Sequence, residues 1–339
     1  HRSWIYTTTD KGIFKRLLNY FSFVFSSFFA GCFKLGKFDY ILCESPPLFL
    51  GMTAFALKKL KGGKLLFNVS DLWPESAERL GLVTNPLFLK AATRLEEFLY
   101  RQSNLISGQT QGIVKNISGR FPTKKVYWLP NGVDLNFYKA DAVQSNWRLQ
   151  YGFTEQDFIV LYAGIIGHAQ GLEVIIKAAA QLKEQARIKF VLVGSGPEKE
   201  KLQQLKNDLN VTNVFFLDAV GKKEMPAIIA ASNCSVVPLK RLDLFKGAIP
   251  SKLFENLAMK KPILLGVEGE AKDLFITEGN AGLAFVPEDA TDLAEKTLHL
   301  FNNSSLVKEL GENGYNYVEK KFTRDKIATE FYNWLTANQ

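Results

Sequence analysis

The apolar and polar positions fall into two successive runs of short apolar blocks separated by amphipathic stretches. In the first, FDYILCESPPLFLG (residues 38–51) predicts a short buried strand, a Pro-Pro turn and the start of a helix over residues 48–60, and KLLFNVSDLWPES predicts a second strand ending at Asp71. A helix near residues 87–101, a strand at 104–107, a helix over 109–118 and a strand at 126–134 follow. Strand, helix, strand in this order is a parallel crossover unit, so this run reads as the latter part of a Rossmann-like domain. The chain opens at His1, in front of what reads as the middle of that domain, so its first strands are expected to be missing. From Phe158 the pattern restarts, with strands FIVLYAG, IKFVLVGSG, VFFLDAV, CSVVPL and PILLGV separated by helices. This second run reads as a complete doubly wound α/β domain, whose ligands are expected outside the carboxyl ends of its strands. Polar residues 139–146 read as the linker. The predicted organisation is therefore a first domain over residues 1–140, a second over 141–322, and a closing helix over 323–339 whose Phe331 and Trp334 suit packing back toward the first domain.

The most apolar stretch, residues 17–33, is flanked by Lys15, Arg16, Lys34 and Lys37. It contains Asn19 and three serines, which falls short of the roughly 20 apolar residues of a spanning helix. Two readings remain, a buried helix of the domain and an interfacial helix whose basic flanks meet anionic headgroups, and they are compatible, because one face can pack while the rim touches lipid. With 47% hydrophobic residues in 339 positions, the chain can bury large cores and is not a disordered polyelectrolyte. Charge separates the two halves: residues 1–140 hold 19 basic and 9 acidic side chains, leaving 23 and 25 for the rest. The whole basic excess sits in the first part, as suits a surface facing an anionic partner. Nucleic acid fits poorly, because the lysines are dispersed and no recognition motif accompanies them. Cys32, Cys43 and Cys234 lack the spacing of a metal knuckle or redox pair and suit a reducing compartment, and His1, His168 and His299 are too scattered for a histidine metal centre.

Two loops of the second domain place glycines between a strand and a helix: AGIIGHAQG, with Gly164, Gly167 and Gln170, and VGSGPEKEKL, with Gly194 and Ser195. Such glycines let a ligand approach the backbone and aim helix amides at phosphate, but they also occur for packing reasons. Their spacing matches neither GxGxxG nor the P-loop. A richer segment, residues 236–265, brings Lys240, Arg241, Lys246 and Lys252 ahead of a helix that starts near Ser251, whose hydroxyl is expected to cap free amides. Glu255 in the first turn is either a carboxylate favoured by the helix dipole or an acceptor for two ribose hydroxyls, with Lys252 neutralising a diphosphate. In the first domain Asp71 reads as a cleft residue that orients a sugar hydroxyl or as a helix cap and partner of Trp73. Glu44, before the Pro-Pro turn, is a weaker candidate of the same kind.

Six motifs in order, SPP (residues 45–47), DLWPES (71–76), PNGVD (130–134), AGIIGHAQGLE, VGSGPE and PSKLFENLAMKKP, resemble the family-four retaining glycosyltransferases of the GT-B fold, closest to the fucosamine-transferase-like branch of O-antigen and capsule assembly. The resemblance implies two Rossmann-like domains facing a cleft, a nucleotide-sugar donor on the second, a lipid-linked or glycan acceptor on the first near Glu44 and Trp73, and no required metal or cofactor. It places Glu255 at the second position of the family's paired-glutamate motif, on the donor ribose. Gly247 stands where the first glutamate would be, Ile165 and Gln170 stand where the family has Arg and Lys, and Ser70 replaces a His. The diphosphate role is therefore expected to shift to Lys252 and the amides around Gly247 and Ser251, with Lys246 or Lys240 assisting. His168 reads as a loop residue near the donor rather than a base, since nothing near it in sequence orients it.

The function expected from these readings is retaining transfer of a sugar from a nucleotide-diphosphate donor, with UDP favoured, by a cytoplasmic protein peripheral to the inner face of the plasma membrane. Lys252, Glu255 and Asp71 are its expected catalytic residues. A non-hydrolysing nucleotide-sugar epimerase of the same architecture and a non-catalytic binding module are the alternatives.

Overall fold

A computed structural model describes residues 1–7, 13–140 and 146–338. The chain forms two compact units, His1–Pro130 and Asn131–Gln339. Most of the predicted linker, residues 141–145, lies outside the described residues.

The first unit holds a four-stranded parallel sheet in the order β1 (Tyr40–Ser45), β2 (Lys64–Val69), β3 (Leu105–Gly108), β4 (Val126–Trp128). Leu65, Leu66, Phe67, Val69 and Ile106 are almost wholly buried, as expected of central parallel strands covered by helices. The helix Pro86–Gln102 starts with the side chain of Asn85 accepting from the amides of Leu87 and Phe88, at 3.0 and 3.1 Å, and buries Leu99 and Tyr100. Its Glu96, 3% exposed, is held bidentately by Arg120 at 2.7 and 3.1 Å, which neutralises the buried carboxylate. The strand expected over residues 126–134 ends at Trp128. Pro130 has no amide to donate, and the PNGVD segment runs as a loop in which Asp134 Oδ1 accepts from the amides of Asn136 and Phe137.

The apolar stretch at residues 17–33 lies within the helix Ile13–Lys34. One side packs: Gly31 lies so close to Leu57 that a Cβ would come within 2.6 Å of it, and Thr53 Oγ1 donates to the Val24 carbonyl at 2.9 Å. The opposite stripe does not. Phe25, Phe29 and Phe33, one helical turn apart, are 60%, 56% and 82% exposed, so the helix is buried on one face only. No helix among the described residues is long and apolar enough to cross a membrane.

The second unit holds a six-stranded sheet, all parallel, in the order β10 (Gly282–Ala284), β9 (Ile263–Gly266), β8 (Cys234–Pro238), β5 (Phe158–Ala163), β6 (Ile188–Val193), β7 (Val214–Leu217). The sequence reading stops at β9. It names neither β10, whose three residues are too short to show a period, nor the helices Ala290–Asn302 and Ser304–Lys321. Chain order reverses between β5 and β8, which makes the carboxyl ends of these two strands the topological switch point, where doubly wound sheets take their ligands. The helix Arg324–Ala337 begins against the PNGVD loop: Arg324 N donates to the Val133 carbonyl at 3.0 Å and Val133 N to that of Phe322 at 2.9 Å.

Candidate functional site

At the switch point the loop after β5 and the loop after β6 are joined by backbone hydrogen bonds: Gly164 N to the Val193 carbonyl and Ile166 N to that of Ser195, both at 2.9 Å. The fit requires glycine. A Cβ on Gly194 would run into the Gly164 carbonyl oxygen, and Gly164 itself has φ +146°. Tyr162, the last aromatic of β5, donates its hydroxyl to the Ile165 carbonyl at 2.6 Å and fixes the turn.

Into this corner comes Lys252, the first residue of the helix Lys252–Ala258. Its Nζ lies 3.9 Å from the centroid of the Tyr162 ring and 2.7 Å from the point where a Cβ of Gly164 would sit. Among the described residues it forms no hydrogen bond and no ion pair. Burial pushes its pKa down to about 8, against the pull of Glu255 one turn on. The helix is pinned to β8 by Asn256, which accepts from Ser235 Oγ at 2.6 Å and donates to the Lys252 carbonyl at 2.8 Å. Ser251 is exposed and makes no cap, so the expectation that its hydroxyl serves the helix amides is corrected. Its backbone is already helical, which turns the side chain away from the amides it would have to reach. The amides of Leu253 and Phe254 are satisfied instead by the backbone, donating to the carbonyls of Pro250 and Ser251 at 3.1 and 3.2 Å.

Glu255 is half-buried and accepts a hydrogen bond from the hydroxyl of Tyr138, which is 3% exposed. Burial, and after it the Glu255 carboxylate, raise the Tyr138 pKa, while Arg324 opposes them. Sequence reasoning missed Tyr138. It lies four residues beyond PNGVD, and no periodicity connects it to Glu255.

The remaining donor-side candidates occupy the rim. Lys240, following β8, donates its amide to the Ala169 carbonyl at 3.0 Å and sets Nζ 2.8 Å from a ring nitrogen of His168. Gln170 packs its side chain against Gly167, where a Cβ would lie 2.9 Å from Oε1. Ser195 is exposed beside Gly194. Lys246 pairs with Asp243 at 2.8 Å in the turn Asp243–Gly247, which raises its pKa and engages its charge on the surface.

In the first unit the candidates are tied to one another. Glu44 on β1 accepts from Asn68 Nδ2 on β2 at 2.5 Å and from the Ser70 hydroxyl, and Ser107 on β3 donates to Asn68 Oδ1 at 2.7 Å. Glu44, Asn68 and Ser107 are register partners, so the network runs straight across three strands near their carboxyl ends. Asp71 accepts from the buried Ser76 hydroxyl at 2.7 Å and tethers the short helix Glu75–Arg79. Trp73 packs edge-on against Phe49 and Phe88, at 5.8 and 6.1 Å between ring centroids.

Doubly wound sheets take their ligands at the switch point, and glycines there let a ligand approach the backbone closely. The chain belongs to the group 1 glycosyl transferases, whose family model matches residues 143–317, just over half of its length. Among curated sequences it is 26% identical over 341 residues to WcaI of Escherichia coli strain K12, named as a colanic acid biosynthesis glycosyl transferase, covering 97% of this chain and 82% of that one. It is 25% identical over 231 residues to the N-acetyl-alpha-D-glucosaminyl L-malate synthase of Bacillus anthracis, covering 68% and 56%. The fold matches the sucrose-phosphate synthase of Thermosynechococcus elongatus with a TM-score of 0.77 at 19% identity, covering 100% and 83% of the two chains. It also matches Anabaena HepE, solved with UDP and glucose, with a TM-score of 0.74 at 19% identity, covering 97% and 84%.

Proposed function

We propose that this glycosyl transferase moves a sugar from a nucleoside-diphosphate donor, with UDP as the nucleotide, to a lipid-linked or glycan acceptor of cell-surface polysaccharide, and that the anomeric configuration is retained. The observation that carries the reading is Lys252: an ammonium without an ionic partner among the described residues, beside the strand-end glycines and one helical turn from Glu255. The relatives supply the direction of the rest, since WcaI is named for colanic acid biosynthesis and HepE was solved with UDP.

In this reading Glu255, oriented by Tyr138, accepts hydrogen bonds from the donor ribose. Lys252 and amides of the strand-end loops face the diphosphate. As the bond between the anomeric carbon and the phosphate oxygen breaks, negative charge grows on that oxygen, where Lys252 and the amides are worth most. The acceptor hydroxyl bonds to the anomeric carbon on the face the phosphate leaves, and its proton passes to the departing phosphate oxygen. The reaction needs no cofactor or metal. Glu44, Asp71 and Trp73 are assigned to the acceptor side. The exposed Phe25, Phe29 and Phe33 stripe, with Lys34 and Lys37 beside it and the basic excess of residues 1–140, is assigned to an anionic membrane surface on the cytoplasmic side.

Incubation with a panel of nucleotide sugars and a lipid-linked acceptor, with the product anomer read by NMR, tests the proposal. A product of the donor's own anomeric configuration is expected, together with thermal stabilisation by UDP that Glu255→Ala loses. Inverted product would remove the retaining mechanism. Epimerised donor in the absence of acceptor would overturn the transferase reading itself.

A further inference from the structure

The second unit has a ligand-sized opening far from the glycine loops. A cavity of about 370 Å³ lies at the amino ends of the strands, reaching Phe158 at the start of β5, Arg187 just before β6, Asn233 before β8 and Lys261 before β9. A six-residue strand rises about 20 Å, so β5 alone separates this cavity from Gly164. The volume is that of a small-molecule site.

Its charge is unbalanced. Four cations line it, Arg187, Lys260, Lys261 and Lys308, against two carboxylates, Glu155 and Asp157. Lys260 is neutralised by Glu312 at 3.2 Å. Asp157 is engaged through Thr154 at 2.7 and 2.9 Å and lies 3.9 Å from Lys189. Arg187, Lys261 and Lys308 then face Glu155 alone, and among the described residues none of the three forms an ion pair.

Lys261 donates only to a neutral acceptor, the Ala230 carbonyl at 2.8 Å. Burial and the neighbouring Arg148 push its pKa down to about 8. Arg148 brings no counter-charge either, since it donates to the carbonyls of Ala231, Thr154 and Asp157 and to Asn233 Oδ1. Arg187 lies over the Phe301 ring at 5.6 Å and spends Nε on the Gln156 carbonyl. On the far wall Ser304 opens the 18-residue helix Ser304–Lys321, whose first amides no side chain caps.

Positive charge in a partly buried, concave place, with apolar Phe301 and Val307 beside it, matches a doubly charged anion carried on a small organic body. We propose that this cavity is a second binding site, separate from the donor site, for a small molecule bearing a phosphate monoester. Arg187 and Lys308 hold the phosphate at the mouth and Lys261 holds it from below.

The probe is inorganic phosphate, titrated to 20 mM at pH 7.5 against sodium chloride of equal ionic strength, with thermal unfolding as the readout. The wild-type chain and Lys252→Met are expected to gain about 2 °C in Tm. Lys261→Met is expected to lose that gain, and so is the double variant Arg187→Gln with Lys308→Gln, whose exposed positions leave the core intact and carry the test if Lys261→Met does not fold. A gain that persists in the double variant, that chloride reproduces, or that disappears in Lys252→Met alone would overturn the proposal, the last because the anion would then sit at the glycine loops.

Discussion

Polar side chains gather near the carboxyl ends of the parallel strands in both units, yet in opposite electrostatic states. In the first unit each candidate already has a protein partner: Glu44 holds Asn68 and Ser70, Asp71 holds Ser76, and Asn68 also accepts from Ser107. In the second, Lys252 has an aromatic face and a glycine for neighbours and, among the described residues, no carboxylate within ion-pair distance. A satisfied network fixes the shape of a loop. An unpaired, partly desolvated cation is costly on its own and becomes favourable when an anion arrives. In the proposed mechanism this difference assigns the charge-stabilising step to the second unit, with recognition and scaffolding assigned to the first.

Removing the unpaired charge is the strongest way to break this comparison. Lys252→Met should lower kcat by about 10²–10³-fold in a transfer assay, the usual loss when one preorganised group facing a developing negative charge is deleted. A fall of less than threefold would return Lys252 to a packing role. Next comes the ribose contact. Glu255→Ala should raise the donor KM by about 10–100-fold, as for a lost charge-assisted hydrogen bond, with a smaller effect on kcat. Tyr138→Phe should raise it by about threefold, since it removes only the group that orients the carboxylate.

The pH dependence sharpens the same point. Lys252 is charged below about pH 8 and neutral above it, so kcat/KM should fall as pH rises through 8, and this limb should vanish in Lys252→Met. Its effect on stability has the opposite sign. Between pH 8 and about 10.4 the unfolded chain binds the proton that the native chain has lost, so urea midpoints of the wild type should rise relative to Lys252→Met across that range. The smallest activity effect belongs to the first unit. Asp71→Asn should change kcat by less than about threefold while lowering Tm, because the carboxylate tethers Ser76; a loss as large as that of Lys252→Met would erase the distinction between the units.

How much of this was legible in the sequence follows from what local pattern encodes. Buried parallel strands such as FIVLYAG and IKFVLVG are continuous apolar runs ended by glycine, so the doubly wound order and the two strand-end loops can be read directly. Lys252 and Glu255 are legible as a pair because one helical turn separates them. The partner of Glu255 is not legible, since Tyr138 is brought to it by the PNGVD loop pairing with Thr323, a long-range contact. The failed Ser251 cap has a similar cause: serine before a helix suggests a cap, but the backbone angles that would aim the hydroxyl are set by the preceding turn. The aromatic helix shows the limit of composition, which marks Phe25, Phe29 and Phe33 as apolar without saying which face they take.

The account turns on Lys252 being a waiting countercharge for a diphosphate, and the affinity for UDP measured by calorimetry at pH 7 and pH 9.5 tests that most directly. The wild-type chain is expected to bind UDP at least tenfold more weakly at pH 9.5, while Lys252→Met binds weakly and equally at both values. Wild-type affinity that does not change with pH, or a Lys252→Met variant that binds UDP as tightly as the wild type, would contradict it.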